Sequence, residues 1–232
     1  MRRPVVLNTR PREQAGGLSR LLVEAGFEVV EAPAIAIEPA DMTVTRELIR
    51  DGAVDWVILA SPNAGRALVD ELRGSAIRVV CGTSTANALG LTNATISLPR
   101  FSAAMVLEAL QPLVARGECV LVPRAEEGRD ELISGLRALG ITVDAPIAYR
   151  TVGVEEAALR LRRGGVDIVT LCSPSAARSI SSALTPAVRI VCLGETTAAE
   201  TRALGHHVDA VAAQTSMAFL VAAVQSVVGA RV

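Results

Sequence analysis

The chain contains no lysine, and all 23 of its basic residues are arginine. A phosphate-binding P-loop, a Schiff-base lysine and a lysine general base are therefore excluded. The arginines are balanced by 24 acidic residues, which leaves a formal net charge of −1. Non-specific nucleic-acid binding rests on many cations that neutralise phosphates. We therefore expect no nucleic-acid partner.

Cysteine and histidine, the usual zinc ligands, are scarce. The chain has 4 cysteines and 2 histidines, which are Cys81, Cys119, Cys172, Cys192, His206 and His207. The cysteines lie far apart, mostly inside apolar runs, with no Cys-x-x-Cys pair and no histidine nearby. The two adjacent histidines diverge too far to form a good ligand pair alone. The sequence thus predicts no metal site, and reduced cysteines in the core.

Features of a membrane or exported protein are also missing. No apolar run reaches the length of a membrane span, and Met1-Arg2-Arg3 leads directly into a short strand pattern instead of the apolar region of a signal peptide. We expect a cytoplasmic protein without a membrane partner. The 232 residues, half of them hydrophobic, suit two globular domains of about 100 residues each.

Two long segments of the chain resemble each other. Residues 55–68 read DWVILASPNAGRAL, and residues 167–180 read DIVTLCSPSAARSI. The offset of 112, from Asp55 to Asp167, also carries residues 82–86 onto residues 194–198. A further pair of segments, residues 5–33 and 120–146, matches at a similar offset. An internal duplication therefore spans nearly the full chain.

Each copy alternates short β-branched runs with helical patterns. This alternation predicts an α/β, doubly wound fold, in which parallel sheets carry helices on both faces. The first helix shows apolar residues at helical spacing from Ala15 to Ala25, and Gly26 follows where a left-handed residue often ends a helix. Strands are predicted at residues 5–8, 56–59, 78–81, 168–171, 190–193 and 208–211.

Several strands end in a residue that suits the start of the next helix, at the edge where open α/β sheets bind ligands. The clearest cases are Ser61-Pro62-Asn63 and Ser173-Pro174-Ser175. A serine N-cap with proline at the first helical position leaves backbone N–H groups free at the positive end of the helix dipole, which favours anions. An ordinary helix cap without a ligand is the simpler reading of either Ser-Pro taken alone.

Glycine turns at residues 82–85 and 194–197 repeat this arrangement, each ending in a hydroxyl residue, Thr85 or Thr197. Thr9-Arg10 and Pro123-Arg124 form a third candidate pair. If two lobes face each other across a cleft, such helix starts and a few arginines would bind several carboxylates at once. Each arginine alone is more readily explained as a solvated surface charge. The arginines considered are Arg10, Arg66, Arg124, Arg129, Arg150 and Arg178.

Tyr149 is the only tyrosine in the chain. It lies in the segment APIAYR, and Ala36 takes its place in the earlier copy at an offset of 113. Such a phenol can be a packing residue with its hydroxyl in water. It can also assist catalysis by donating a proton or a hydrogen bond to a leaving hydroxyl, because an ordinary phenol is neutral near pH 7. The residues alone leave both roles open.

The order and spacing of these motifs resemble the uroporphyrinogen-III synthases over essentially the whole chain. The resemblance is carried by the opening VLNTRP, the paired Ser-Pro and glycine turns, the PIAYRT segment and the closing TSMAFL at residues 215–220. It implies two similar α/β domains joined by a two-stranded connector, the second inserted into the first. The domains would be residues 1–36 with 151–232, and residues 37–150, and the connectors residues 32–38 and 145–152.

The resemblance also implies an enzyme that closes the linear tetrapyrrole hydroxymethylbilane, with inversion of ring D and loss of water, to give uroporphyrinogen III. Tyr149 matches the family tyrosine proposed to assist hydroxyl loss. The cleft-facing hydroxyl residues thought to bind substrate carboxylates are matched by Ser61, Thr85, Ser173 and Thr197. We expect no cofactor and a transient handover of substrate from hydroxymethylbilane synthase. A monomer is expected because no heptad pattern indicates a coiled coil.

One residue departs from the family pattern in a way that bears on the charge of the site. Glu195 stands where the family often has proline, and we expect its carboxylate to point away from an anionic substrate. A non-catalytic module of the same fold that senses a tetrapyrrole or another anion is the main alternative to the enzyme. A periplasmic-type solute binder is a weaker alternative, because no signal peptide is evident.

Overall fold

The computed structural model of the protein describes residues 2–92, 94–128 and 130–229. The chain divides into two compact units: unit 1 comprises residues 1–36 and 152–232, and unit 2 comprises residues 37–151. The polypeptide therefore leaves unit 1 once, forms unit 2 and returns. Arg129, one of the arginines considered above, lies outside the described residues.

The elements follow one another in the alternating order that the sequence predicts. The first part of the chain contains β1 (Val5–Asn8), α1 (Arg12–Glu24), β2 (Glu28–Glu31), β3 (Ile35–Pro39), α2 (Thr43–Arg50), β4 (Trp56–Leu59), α3 (Pro62–Arg66), α4 (Val69–Leu72), β5 (Arg78–Gly82), α5 (Thr83–Leu89), β6 (Ile96–Leu98) and α6 (Ala103–Leu110). The rest contains β7 (Cys119–Leu121), β8 (Arg124–Ala125), α7 (Glu131–Ala138), β9 (Thr142–Asp144), β10 (Ile147–Gly153), α8 (Glu156–Arg162), β11 (Ile168–Leu171), α9 (Pro174–Ile180), β12 (Arg189–Cys192), α10 (Glu195–Ala203), β13 (Ala210–Val211) and α11 (Met217–Gly229).

Unit 1 is built on a five-stranded parallel sheet in the order β13-β12-β11-β1-β2. All four residues of β1 are buried, because helices cover both faces of the sheet. Neighbouring side chains of that strand enter different cores: Val6 packs with Leu18 and Val224 on one face, and Leu7 packs with Ile180 on the other. The two cores account for the unbroken apolar run of this strand.

Unit 2 repeats the arrangement with a second five-stranded parallel sheet, in the order β6-β5-β4-β7-β9. Here Val57 and Leu59 of β4 belong to one core, and Trp56 and Ile58 belong to the other. The predicted fold class is confirmed: the chain forms two α/β units with parallel sheets, one inserted into the other.

The duplication is visible in matching hydrogen bonds at the amino-terminal ends of the central strands. The carboxylate of Asp167 accepts the backbone N–H of Val5 at 2.7 Å, and that of Asp55 accepts the N–H of Cys119 at 2.8 Å. Each aspartate thus joins two strands that are neighbours in space but distant in sequence. These bonds give both aspartates a structural role at the start of a strand.

In each sheet there is one point at which the order of strand addition reverses, so that the chain builds outward on either side of it. In unit 1 the chain runs outward from β1 to β2 and from β11 to β12, so the switch lies between β1 and β11; in unit 2 it lies between β4 and β7. Open α/β sheets bind ligands in the crevice at the carboxyl ends of the strands beside such a point. The residues that follow β1, β11, β4 and β7 are therefore the first place to search for a site.

The connector strands β3 and β10 form a small separate sheet with β8. The N–H of Ala40 donates to the carbonyl of Ala148, and that of Val154 donates to the carbonyl of Ala34, each within one unit. Strand β8 pairs with β10 through a register that brings Ala125 opposite Tyr149. The sequence predicted the two connector strands but not this third one.

One predicted strand is longer than the structure has it. The strand expected at residues 208–211 is reduced to Ala210–Val211. The helix that begins after Ser61 ends at Arg66, after five residues. Gly65 in this helix packs against Leu89: a Cβ added there would lie 2.3 Å from Leu89 Cδ1, so the Leu89 side chain would have to shift to admit a larger residue. Within the described residues no helix is long and apolar enough to cross a membrane.

Candidate functional site

A pocket of about 500 Å³ lies in unit 2 at the switch point of the sheet. Its walls are the residues after β4, the residues after β7, the first turns of α6 and α7, and Tyr149 from β10. The lining residues are Ala60, Ser61, Phe101, Ser102, Ala103, Ala104, Val122, Pro123, Arg124, Ala125, Gly128, Glu131, Leu132, Ile133 and Tyr149. The site therefore forms where the fold alone predicts one.

Tyr149 is held at the pocket by its backbone and its ring. Its carbonyl accepts the N–H of Glu126 at 3.0 Å, and the half-buried ring packs against the core that contains Ala148. Its hydroxyl lies 3.3 Å from Oγ of Ser61, a residue 88 positions away in sequence. The only phenol of the chain is thus fixed at the end of β4, facing the same pocket as the Ser-Pro turn.

Ser61 has two partners. Its Oγ accepts the backbone N–H of Ala64 at 3.3 Å, as an N-cap of α3 should, and also contacts the Tyr149 hydroxyl. A serine hydroxyl has one proton and two lone pairs. When Ser61 donates to Tyr149, the phenolic proton is free to donate to a group bound in the pocket. The contact can therefore orient Tyr149 as a hydrogen-bond donor.

Arg124 is the one cation among the residues that line the described part of this pocket. Its guanidinium donates to the carbonyls of Gly128 and Ala125 and forms an ion pair with Asp130. The Arg124 side chain is 20% exposed, whereas that of Asp130 is 71% exposed. Arg124, a candidate carboxylate ligand in the sequence, therefore lines the pocket, but its guanidinium is paired with an acidic side chain of its own loop.

The corresponding position in unit 1 follows β1 and β11. Thr9 is only 1% exposed, and its hydroxyl donates to the carbonyl of Thr170 at 2.6 Å, so it joins two strands and does not face solvent. Arg10 is half-buried; it donates to the carbonyl and side chain of Gln14 and contacts Sδ of Met217. None of the described carboxylates pairs with Arg10, which leaves its charge available to an anion.

The second Ser-Pro turn also has the expected cap. Oγ of Ser173 accepts the N–H of Ala176 at 3.2 Å and lies 3.3 Å from Oγ of Ser175, while Pro174 occupies the first turn of α9. Both serines are half-buried. Ser173 therefore repeats the cap geometry of Ser61, but the only tyrosine of the chain contacts Ser61.

Thr85 and Thr197 lie in the first turns of α5 and α10 and are each 4% exposed. The N-cap residues Gly82 and Gly194 offer no side-chain acceptor, so first-turn amides of both helices lack a side-chain cap. The glycine turns therefore present main-chain N–H groups beside the threonine hydroxyls that the sequence suggested.

Most of the other candidate side chains are engaged at the surface of their own unit. Arg66 donates to the side chain of Asn63 at 2.5 Å, Arg150 pairs with Glu126, and Arg178 pairs with Glu200. The carboxylate of Glu195 is 71% exposed and pairs with Arg202 on α10. These partners favour the interpretation of Arg66, Arg150 and Arg178 as surface charges.

The cysteines offer little nucleophilic chemistry. All four are free thiols. Burial raises the pKa of Cys172, although the adjacent Arg10 partly offsets this, and burial raises the pKa of Cys192 to about 11. Within the described ranges no three His, Cys, Asp or Glu side chains lie close enough together to hold a metal ion.

Comparison with known proteins assigns the family. The model of the family described as uroporphyrinogen-III synthase HemD matches residues 17–222, which is most of the chain. The chain belongs to the uroporphyrinogen-III synthase family. The family resemblance of the sequence motifs is thereby confirmed, and the chain is placed in tetrapyrrole biosynthesis, where this family acts on a small tetrapyrrole substrate.

Individual relatives agree. A putative uroporphyrinogen-III synthase of Methanothermobacter thermautotrophicus is 30% identical over 183 residues, which are 72% of either chain. A porphyrin biosynthesis protein of Ruminiclostridium josui is 26% identical over 83% of this chain and 42% of its own. The chloroplastic uroporphyrinogen-III synthase of rice is 25% identical over 87% of this chain and 73% of its own.

Solved structures of the family show the same fold at low sequence identity. A mutant uroporphyrinogen III synthase of the extremely thermophilic bacterium Thermus thermophilus superposes with a TM-score of 0.63 at 18% identity, covering 98% of this chain and 99% of that one. The synthetase of Helicobacter pylori 26695 gives the same TM-score and identity, covering 97% and 100%. At this identity the likeness establishes the fold.

Sequence reasoning missed several residues of the pocket. Ser102 caps α6 by accepting the N–H of Met105 at 3.3 Å, and Phe101 precedes it at the rim. A serine before the apolar run of α6 is a helix-start signal that was available. The same kind of signal marks Asp130 as the residue before α7, but it does not predict that the Asp130 carboxylate pairs with Arg124 instead of capping the helix.

Proposed function

We propose that this member of the family cyclises hydroxymethylbilane to uroporphyrinogen III, with inversion of ring D and loss of water, and so acts as a lyase. The observation that carries the proposal is the pocket at the switch point of unit 2, which places the hydroxyl of Tyr149 against Ser61 and within the same walls as Arg124. A hydrogen-bond donor for a leaving hydroxyl and a cation for a carboxylate are the groups that this reaction requires.

In this mechanism Tyr149 donates its phenolic proton toward the terminal hydroxyl of the substrate. The C–O bond breaks, and the hydroxyl departs with that proton as water. Ring D then bonds to the freed methylene through its substituted α-carbon and forms a spiro intermediate. The bond from that carbon to the bridge of ring C breaks, and the bridge bonds to the other α-carbon of ring D, whose released proton restores the phenol. Ser61 keeps the phenol oriented, because its own proton can be donated to the phenolic oxygen.

The remaining candidate residues are proposed to bind the substrate carboxylates, each through the groups that it presents in the structure. We assign substrate carboxylates to Arg124 and Arg10 and to the turns Ser61-Pro62-Asn63 and Ser173-Pro174-Ser175. At the glycine turns we assign them to the hydroxyls of Thr85 and Thr197 together with main-chain N–H groups of the same first turns. Thr9 is assigned a supporting role, since its hydroxyl holds β1 to β11.

The proposal includes the setting of the reaction. We propose that the protein works without a cofactor, as a cytoplasmic monomer, and receives substrate by transient handover from hydroxymethylbilane synthase. We retain residues 1–36 with 151–232, and residues 37–150, as the proposed domain boundaries. The chloroplastic location of the rice relative belongs to that protein.

A coupled assay tests the proposal. Purified hydroxymethylbilane synthase supplies the unstable substrate, and the products are oxidised and separated as porphyrin isomers. We expect predominantly the type III isomer when this protein is present and the spontaneous type I isomer without it. If the protein binds the tetrapyrrole but leaves the type I isomer dominant, it is a non-catalytic sensor and the proposed activity is wrong.

A further inference from the structure

Helix α7 begins with an acidic residue that does not cap it. Asp130 occupies the N-cap position with φ −91° and ψ −2°, and its side chain accepts no N–H of the first turn. An aspartate at this position ordinarily has an extended backbone and accepts the N–H of the second or third helical residue. Here its carboxylate pairs with Arg124 instead. The same carboxylate thus has two alternative partners within reach.

Both alternative partners lie at the pocket. Arg124 lines it, and so do Glu131, Leu132 and Ile133, whose N–H groups form the first turn of α7. Rotation of the Asp130 backbone into the extended region would turn its carboxylate from the guanidinium to these amides. The extended conformation is the ordinary one for an N-cap aspartate, so the rotated state is sterically allowed.

The loop around Arg124 is built to hold the guanidinium even without Asp130. Carbonyls of Ala125 and Gly128 accept from it, and Gly128 packs so closely that an added Cβ would lie 3.2 Å from Nε of Arg124 and 3.0 Å from the carbonyl oxygen of Ala125. Two neutral acceptors therefore fix the orientation of the guanidinium, while the charge is balanced by a carboxylate that is 71% exposed.

We propose that Asp130 competes with a substrate carboxylate for Arg124, and that on substrate binding it moves to the N-terminus of α7. The proposal rests on the proposed function. An ion pair with one partner largely in water is weak, so a polycarboxylate anchored elsewhere can displace Asp130, whereas a small monocarboxylate has to compete without such help. Asp130 would then raise the selectivity of the pocket for the multiply charged substrate.

Replacement of Asp130 by asparagine tests this competition. Asparagine caps helices as well as aspartate does, so Asp130→Asn should fold, but it lacks the charge that holds Arg124. We expect it to bind uroporphyrin, a stable polycarboxylate, about 3–10-fold more tightly than the unsubstituted protein in a fluorescence titration. Propionate, as a small monocarboxylate, should inhibit the variant more strongly than the unsubstituted enzyme.

Two further variants isolate the cause. Glu126→Gln removes one negative charge from the same loop but breaks a pair with Arg150 instead of Arg124, and its affinity should stay within about twofold. Arg124→Gln should weaken binding, and adding Asp130→Asn to it should give no gain. If Asp130→Asn behaves like Glu126→Gln, or binds more weakly than the unsubstituted protein, the competition does not exist.

Hydrogen exchange gives an independent readout of the movement. When uroporphyrin binds, the amides of Leu132 and Ile133 should exchange more slowly in the unsubstituted protein, because Asp130 then caps them. In Asp130→Ala this slowing should be absent. A protein that yields the type III isomer but shows neither effect refutes the competition alone. A protein that neither binds uroporphyrin nor yields that isomer refutes both this inference and the proposed function.

Discussion

Removal of the Tyr149 hydroxyl is the sharpest test of the catalytic assignment. Phenylalanine keeps the ring that packs against the core around Ala148, so the fold should survive. The lost contact with Ser61 is 3.3 Å long, which is long for an O–H···O bond, and its loss should cost at most about 1 kcal/mol of stability. A positioned general acid contributes roughly 10²–10⁴ in rate. We expect Tyr149→Phe to lower kcat by about 10², which corresponds to roughly 2.7 kcal/mol of barrier.

Ser61 should act through Tyr149, and a double-mutant cycle can show it. Ser61→Ala removes the cap of α3, at a cost of about 1 kcal/mol in stability, and also the hydrogen bond that orients the phenol. Loss of that orientation should lower kcat by about 3–10-fold in the unsubstituted background. In the Tyr149→Phe background the same substitution should leave kcat unchanged, because the phenol is already absent. Ser61→Thr keeps an oxygen for both partners and should restore most of the activity.

The cycle is measured with the coupled assay, after subtraction of spontaneous ring closure, and with urea unfolding followed by fluorescence of the single tryptophan. Stability and turnover are thereby separated for each variant. Full activity of Tyr149→Phe would withdraw the tyrosine from the mechanism while leaving the family assignment intact. Equal losses of kcat from Ser61→Ala in both backgrounds would show that Ser61 assists the reaction independently of Tyr149.

Two further predictions concern stability. Hydrogen bonds from Arg78, from the Trp56 indole and from the Ala115 N–H lower the pKa of Glu118 from 4.5 to about 2. The contribution of Glu118 to folding stability should therefore be present above pH 4.5 and be lost as the pH falls toward 2. Glu118→Gln should flatten the acid side of a plot of urea stability against pH, and an unchanged plot would contradict this. Among the glycines, Gly135→Ala should destabilise by about 1–3 kcal/mol, because its Cβ would lie 2.5 Å from Leu107 Cδ1. Gly16 is exposed in α1, and a Cβ added there would have nothing within 4 Å, so Gly16→Ala should stabilise the protein by about 0.5–1 kcal/mol. Chemical denaturation of both variants measures the two effects, and effects of the same sign would refute the packing argument.

The elements that could be predicted from the sequence are those fixed by local pattern. The strands Val5–Asn8, Trp56–Leu59 and Ile168–Leu171 occur at the predicted residues because each is a continuous apolar run buried on both faces. Gly26 does end the first helix region with a positive φ of 92°. By contrast, the short α3 and the two-residue strand β13 depend on packing partners that a single sequence does not reveal.

The site was predictable only in part, for a related reason. Cap residues such as Ser61 and Ser173 are local signals, and the structure places both at the starts of helices. Which side chains meet across the pocket depends on strand order: Tyr149 reaches Ser61 because β8 pairs with β10 and β7 lies beside β4. An aspartate before a helix is ordinarily predicted to accept an N–H group of the first turn, but Asp130 pairs with Arg124 instead, so the local rule alone predicts the wrong partner.

Comparison of the two arginines that follow equivalent strands shows how the duplicated halves have diverged. Arg10, after β1, donates to neutral groups of Gln14, whereas Arg124, after β7, pairs with a carboxylate. The only tyrosine lies beside Arg124, and the connector of the other copy has Ala36 in its place. The two arginines thus share their position after a central strand, whereas a phenol and a carboxylate partner accompany Arg124 and not the described contacts of Arg10. If the proposed function is correct, one phenol suffices, because a leaving hydroxyl needs a single proton donor, and the copy that contains Arg10 would contribute binding alone.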